Sequence, residues 1–452
     1  MKIKLILSSI IIIVLTSTTA YARCVEQQEY KVLFKENTSV QAQRQLLKNS
    51  NITDEINEIG YYKIESVNIN KIKRSSLIKS VEKSCKSSNV EIEKPLYNVQ
   101  HASLLNNKGF GTFWDKQWDM KQVTNNGKSY MAYTATKKTS IAIVDSGIDP
   151  KHIELKDSIL PGSKNFVPKG GYNNEEDETG EINDIKDKMG HGTAVAGQIT
   201  AMKNMKGIAP GIGVRSYRVF GQKSAKAEWI TKAIVQAAKD DNDIINLSFG
   251  QYLMKNGSFS DGTNDNIAFQ AYQKAINYAY KKGSIVVSAA GNDTINTNSQ
   301  KELYNHLNEI LKDKFIKKSG KIYDVPNNFS KVVSVGGTDP DKNLSDFSNY
   351  GPKAFKITAP AGTTKSLNNL SLEKFIERKL YEKEWIFSTA PNNSYQYYYG
   401  NSFAAPKVSG GLALIIDKYN YHDKPNKAIR KLFSSSDVKN HYKYLNIYKA
   451  LK

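Results

Sequence analysis

Four residues of this chain have the types and settings for acyl-transfer chemistry. Ser402 lies in Gly400-Asn401-Ser402-Phe403-Ala404-Ala405-Pro406. Small and turn-forming residues surround it, and an apolar run from Val408 to Tyr419 follows with the spacing of a buried helix. At a helix N-terminus, unpaired N–H groups and the dipole favour negative charge, and a nearby base makes a hydroxyl there a nucleophile. His191 lies in Gly190-His191-Gly192-Thr193-Ala194-Val195-Ala196-Gly197. The flanking glycines allow close approach, and the small residues after it suit a helix pressed onto a sheet. Asp145 ends the apolar run Ile141-Ala142-Ile143-Val144, and Asn292 follows Ser288-Ala289-Ala290-Gly291. Taken singly, each has an ordinary structural role: an N-cap, a packed histidine, a turn-capping aspartate, a Gly-Asn turn. Together they supply a nucleophile, a base, a carboxylate that orients the imidazolium, and an amide donor for an oxyanion.

Such a set needs one edge on which to meet. From about Trp118 onward, short β-branched runs alternate with helical patterns. Ile141–Val144, Ile244–Leu247, Ile285–Ala290 and Val332–Val335 read as strands, and Ala194–Met202, Ala227–Lys239, Ile267–Lys281 and Lys407–Tyr419 as helices. Continuous apolar strands separated by helices predict an α/β fold, a parallel sheet covered on both faces. Function in such folds gathers at the carboxyl ends of the strands. There the ring of His191 would stand exposed beside Asp145. Residues 24–100 read as a separate small α+β unit with an antiparallel sheet. Its expected elements are strands at Glu29–Phe34, Tyr61–Ile69 and Val90–Val99, and helices at Val40–Lys48 and Ser75–Ser84. A connector rich in Asn and Gly, about His101 to Trp114, follows.

The chain has 452 residues, 39% hydrophobic and 10% aromatic, enough for a packed core. Lys+Arg 64 against Asp+Glu 44 gives a net charge of +20. The basic residues are spread out and no nucleic-acid motif accompanies them, so an anionic surface such as a bacterial wall fits that charge better. Residues 1–22 read as a secretory signal: Lys2 and Lys4, an apolar Leu5–Leu15, then Ala20-Tyr21-Ala22. No later run is long and apolar enough to span a membrane, so a released, extracellular product is expected without stable membrane insertion. Cys24 and Cys85 either pair or stand as two thiols, and the remainder must fold without disulfides.

Ile143-Val144-Asp145-Ser146-Gly147, Gly190-His191-Gly192-Thr193, Ala289-Ala290-Gly291-Asn292 and Gly400-Asn401-Ser402 to Pro406, in that order, resemble the blocks of the subtilases, the subtilisin-like serine endopeptidases. The resemblance covers about 118–435. It implies a subtilisin-like sheet with helices on both faces in a peptidase domain of residues 118–452. It also implies a ferredoxin-like inhibitory propeptide of residues 23–105 and a processing linker of residues 106–117. Asn246-Leu247-Ser248-Phe249-Gly250 looks like the family's substrate-binding strand, so Ser248, Phe249 and Gly250, with Gly291 and Asp293 beside the oxyanion residue, are the candidates for holding substrate. Gln117-Trp118-Asp119-Met120, Gly162 to Pro168 and Tyr217 to Gly221 are similar to the lantibiotic leader peptidases of Gram-positive bacteria. That likeness implies a monomeric secreted protease with a lantibiotic precursor as substrate and its own propeptide as inhibitor. The alternatives are a general secreted protease and a non-catalytic binding protein on the same fold.

Three departures bear on the site. Asn401 stands where the family usually has Thr. The segment Ala201–Pro210 is shorter than the loop that holds calcium in many subtilisins, so no metal ligand and no cofactor are expected; Glu154 and the acidic run Glu175–Asp187 are the oxygen donors a calcium ion would use. That run reads first as a solvated loop, with an ion site or a rim contact for a basic substrate residue as the alternatives. The stretch between Asn292 and Tyr323 is long and carries a predicted helix, Gln300–Phe315. Asp293, and second Asp324, predict a preference for a cationic residue before the cut, with Lys223 and Lys226 suiting acidic residues further upstream.

Overall fold

The computed structural model describes residues 29–84, 89–90, 113–311 and 314–452. The signal stretch, both cysteines, the processing linker up to residue 112 and most of the predicted strand Val90–Val99 lie outside the described residues.

The N-terminal unit runs β1 (Glu29–Phe34), α1 (Val40–Leu47), β2 (Asn51–Ile56), β3 (Tyr61–Glu65), α2 (Ile69–Lys73) and β4 (Ile78–Lys83). Its antiparallel sheet has the order β2-β3-β1-β4, the ferredoxin-like arrangement expected. Several details differ from the sequence reading, and the strand expected at Tyr61–Ile69 ends at Glu65. Ser75–Ser84 is not a helix: Leu77, Ile78 and Val81 have helical spacing, but the segment pairs along β1 as an edge strand. The second helix lies earlier, and β2 carries too many polar residues to stand out as a strand.

The larger unit is built on nine strands in the order β20-β21-β17-β16-β13-β10-β6-β8-β7. In chain order these include β6 (Ser140–Asp145), β7 (Lys164–Asn165), β8 (Gly213–Arg218), β10 (Ile244–Leu247), β13 (Ile285–Ala289), β16 (Val332–Thr338) and β17 (Ile357–Pro360). All neighbours are parallel except the β20 (Asp437–Lys439) and β21 (Tyr442–Tyr444) pair at the edge. Every residue of β6, β10, β13 and β16 is buried, which is why these strands read as unbroken apolar runs. One face is covered by α4 (His191–Thr200) and α8 (Ala404–Tyr419), the other by α5 (Ala227–Lys239) and α6 (Asn266–Lys281). Three helices begin or end a few residues from where the sequence put them. The inserted helix α7 (Gln300–Ile310) is five residues shorter than predicted, by the difference of its last residue, Ile310, from Phe315.

The N-terminal unit docks on α5 and α6. Leu33, Ile56, Ile59 and Tyr61 join the apolar cluster of Trp229 and Ile230. Lys274 of α6 donates to Phe34 O at 2.7 Å and Ile59 O at 3.0 Å. Glu82 of β4 accepts from Ile267 N at 3.0 Å, at the N-terminus of α6, where a carboxylate is favoured. Lys232–Asp54 (2.5 Å) and Lys239–Glu58 complete the rim. Beyond β4, the backbone of β5 (Asn89–Val90) pairs antiparallel with β9 (Ala225–Lys226).

Candidate active site

The carboxyl end of β6 and the start of α4 are joined by one hydrogen-bond network. Asp145 Oδ1 lies 2.8 Å from His191 Nδ1 and also accepts from Ser146 N at 2.7 Å. Asp187 accepts from Met189 N, Gly190 N, Thr193 N and Thr193 Oγ1, which caps the helix that His191 begins. Ser146 Oγ links the two, donating to Asp187 Oδ1 at 2.8 Å and accepting from Gly192 N at 2.9 Å. With Asp145 as acceptor, the Nδ1 proton is fixed and Nε2 is left as the basic nitrogen. His191 is 3% exposed, so its ring is buried, not open at the edge as its glycine neighbours suggested. The glycines serve packing instead: a Cβ on Gly192 would lie 2.1 Å from Gly147 O.

Ser402 sits in the turn Asn401–Phe403 that opens α8. The turn packs against α4, and the Phe403 ring lies 5.6 Å from the His191 ring. Asn401 N donates to Asn292 Oδ1 at 2.9 Å. That bond uses the carbonyl end of the Asn292 side chain and leaves its amide nitrogen as the donor on the other side. Asn401 is fully buried and its own amide donates to Gly291 O at 2.9 Å and Ser348 Oγ at 3.0 Å. The departure from Thr thus tethers the serine turn directly to the loop of Asn292. Ser402, His191, Asp145 and Asn292 thus lie where α4 and α8 begin, a set of groups whose types suit acyl transfer.

Ser248, Phe249 and Gly250 follow β10 and lead into β11 (Gln251–Lys255), which pairs antiparallel with β15 (Lys321–Val325). Ser248 Oγ accepts from Asn246, and Phe249 packs edge-on against Phe220 at 5.2 Å. Gly250 borders Asp324: a Cβ there would lie 3.3 Å from Asp324 Oδ1. Gly291 O accepts from Asn349 N and from Asn401. Asp293 is not free in the way its sequence position suggested. Tyr252 donates to its Oδ2 at 2.5 Å, and His306 of α7 lies 3.6 Å from its Oδ1. Asp324 is the acid with spare capacity. It is 1% exposed, Asn327 donates to its Oδ1 at 3.0 Å, and its Oδ2 has no partner. Burial, then the neighbouring Asp293, pushes its carboxyl up to about 7. The inserted helix α7 has its own apolar cluster with Met254, Phe259 and Ile316, and it reaches Asp293 through His306. Lys223 pairs with Glu175 at 2.8 Å, and Lys226 is tucked against the rings of Tyr172 and Trp229. Lys226 is thus occupied by the rings, whereas Lys223 and its partner both stay exposed.

The acidic run closes on the protein itself. Glu178 forms a fully buried pair with Arg218 at 2.6 Å, and Glu176 accepts from Tyr172 N, Gln222 N and Lys223 N. Glu154 is also fully buried. Its oxygens accept N–H bonds from Met202, Lys203, Asn204 and Met205 and the Tyr395 hydroxyl. The short loop therefore turns its N–H donors inward around a carboxylate. A calcium ion needs oxygen acceptors, so the residues present do not fit one. Among the described residues, no group of three acidic, histidine or cysteine side chains is placed to hold a metal.

Residues 136–446 match the subtilase family. The chain is similar to the nisin leader peptide-processing serine protease of Lactococcus lactis subsp. lactis, 52% identical over 336 residues, which is 74% of this chain and 48% of that protein; it thus spans about half of that relative's length. It is also similar to the epidermin leader peptide-processing serine protease of Staphylococcus epidermidis, 41% identical over 425 residues, 90% of this chain and 89% of that one. The crystal structure of the epidermin-type protease from Staphylococcus aureus aligns with a TM-score of 0.80 at 36% identity, covering 94% of this chain and 98% of that one.

Removing the Glu154 carboxylate strands several buried N–H groups at once, so Glu154→Ala should lower stability by about 3 kcal/mol or more. A chelator should leave the wild-type melting temperature nearly unchanged. A large drop on chelation, reversed by calcium alone, would show that the loop holds a metal after all.

Proposed function

The chain belongs to the subtilase family of serine proteases, and on that premise we propose that it removes the leader from a lantibiotic precursor by cutting after a cationic residue. In this reading Ser402 Oγ attacks the scissile carbonyl carbon while His191 Nε2 takes its proton. The oxyanion is held by the Asn292 amide and the N-terminal end of α8. His191 then gives the proton to the leaving amine, the C–N bond breaks, and an acyl-Ser402 remains. Water, deprotonated by the same nitrogen, hydrolyses it. Asp145 stays ionised and holds the imidazolium.

One observation carries the substrate class: the buried Asp324, with an unpartnered oxygen, between Gly250 and the Asn292–Asp293 loop. A cationic side chain would satisfy it, and an apolar one would not. The relatives named for leader processing support the same reading. The N-terminal unit supports self-inhibition, because the backbone of β5 pairs antiparallel with β9 as an extended substrate would. A secreted monomer fits the chain, and among the described residues no helix is long and apolar enough to cross a membrane.

Ser402→Ala should reduce kcat by about 10⁶-fold, the loss found when a subtilisin's nucleophile is removed, and Asn292→Leu by about 10²–10³-fold. N-terminal sequencing should find wild type starting between about His101 and Trp118, and the Ser402→Ala chain intact after signal removal. An active wild type that retains Arg23 would sink the propeptide reading.

The pocket makes a pH-dependent prediction. Asp324 is neutral below about 7 and charged above it. The kcat/KM ratio of an Arg peptide to its norleucine analogue should therefore rise between about pH 6 and 8, His191 cancelling in the ratio. Asp324→Asn should flatten that rise and cut the Arg rate by about 10–100-fold, the size of one charged hydrogen bond. Asp293→Asn should do less. Faster cleavage after Phe or Leu than after Arg by wild type refutes the electrostatic pocket.

A further inference from the structure

Lys407 lies on α8, just over one turn beyond Ser402, and is fully buried. An ammonium has three N–H donors, and three acceptors surround this one. Phe403 O is at 3.0 Å, Gln198 Oε1 at 2.6 Å and Asp119 Oδ2 at 2.9 Å. They come from three separate parts of the fold. Phe403 follows Ser402 in the turn. Gln198 is on α4, two turns from His191 and on the same side of the helix. Its own amide is fixed by a bond to Phe387 O at 2.9 Å. Asp119 is on α3 (Trp118–Val123), at the start of the larger unit, where Trp118 Nε1 is anchored to Trp385 O at 2.9 Å. The ring of Phe403 lies between those of His191 and Tyr398, 5.6 and 4.9 Å away.

A buried ion pair is poor evidence for stability, since apolar residues of like volume often hold a fold as well or better. What only the ammonium supplies is a directional grip on two groups at once: the carbonyl beside the nucleophile and an amide on the helix of the base. We propose that Lys407 is a positioning residue, locking the peptide that follows Ser402 to the helix that carries His191, with Asp119 as the countercharge that keeps the ammonium in place. The proposal rests on the reading of Ser402 and His191 as nucleophile and base. It also requires that processing leave Asp119 in the mature chain, so an activating cut falls before Trp118.

The test uses the full chain, processed to completion with a trace of wild-type enzyme, in the variants Lys407→Met, Asp119→Leu/Lys407→Met and Gln198→Leu. Thermal unfolding, kcat and KM on one peptide, and the rate of labelling by a fluorophosphonate are measured; the last reads the nucleophile without any assumption about the peptide. The double variant should melt within about 3 °C of wild type, because an apolar pair replaces the ionic one. Its kcat and labelling rate should nonetheless fall about 10–100-fold at nearly constant KM, the effect of a small misplacement of reacting groups. Gln198→Leu, which keeps the ion pair, should fall in the same direction by about 5–10-fold. A double variant that folds and works at the wild-type rate overturns the proposal and leaves the pair a purely structural one. Should the charge variants fail to fold, Gln198→Leu decides alone, and an unchanged kcat overturns it. Labelling of a Ser402→Ala chain would instead refute the nucleophile assignment on which the proposal stands.

Discussion

The approach of α4 to the end of β6 is the constraint on which the site depends. Asp145 and His191 must be within hydrogen-bonding distance in a place where both are almost wholly buried. The helix can come that close only because Gly192 has no side chain to meet Gly147 O, and Gly197 none to meet Thr389 and Ser388. All ten residues of α4 are buried, so the helix has no solvent face to absorb an error in its position. Its start is therefore fixed by polar contacts: Asp187 as the cap, Ser146 as the link to the strand. The same economy holds at α8, where Asn401 ties the serine turn to Asn292 and the helix packs across β10, β13, β16 and β17.

Carboxylates do much of the loop work in this molecule. Glu154 gathers four backbone N–H groups with one hydroxyl, Glu176 three N–H groups, and Asp187 three with two hydroxyls. A carboxylate that accepts several N–H bonds replaces the water it lost on burial, and it needs no cation to do so. Glu178 instead uses a buried charge partner, Arg218, which joins the acidic run to the end of β8. The run is thus a largely exposed loop tied to the sheet through a few of its own acids.

What the sequence could show follows from how each element is held. Strands buried on both faces, such as Ile244–Leu247, announce themselves, and the bounds of Ala227–Lys239 were legible from its amphipathic period. The four candidate residues could be singled out because each stands close to where a strand ends or a helix begins. Ser75–Ser84 was misread because a half-buried edge strand has no period strong enough to compete with chance helical spacing. Partners far apart in the chain were illegible for another reason. Nothing local to Asp324 says that Gly250 leaves room beside it, and nothing local to Asp293 says that Tyr252 and His306 already occupy it. Lys407 entered the sequence reading only as the first residue of a predicted helix, and only the packing of three elements around it makes it a buried lysine.

The proposed pocket shows how far one buried acid can discriminate. With its carboxyl pushed up to about 7, Asp324 can be neutralised by a proton as well as by a substrate cation. An apolar residue that enters the pocket need only trap the neutral form. One pH unit above that value this costs about 1.4 kcal/mol, or tenfold, and near neutrality almost nothing. Rejection of apolar residues by an unpaired charge is therefore weak at physiological pH. Selectivity for a cation must come mainly from attraction, the charge-assisted bond to Asp324 with Asp293 close by, rather than from repulsion of the wrong side chain. A protease built this way would cut after a cation quickly and after other residues slowly, not never. Strict choice of one peptide bond would then require further contacts along the cleft, for which β9, whose backbone β5 already pairs with, is a candidate.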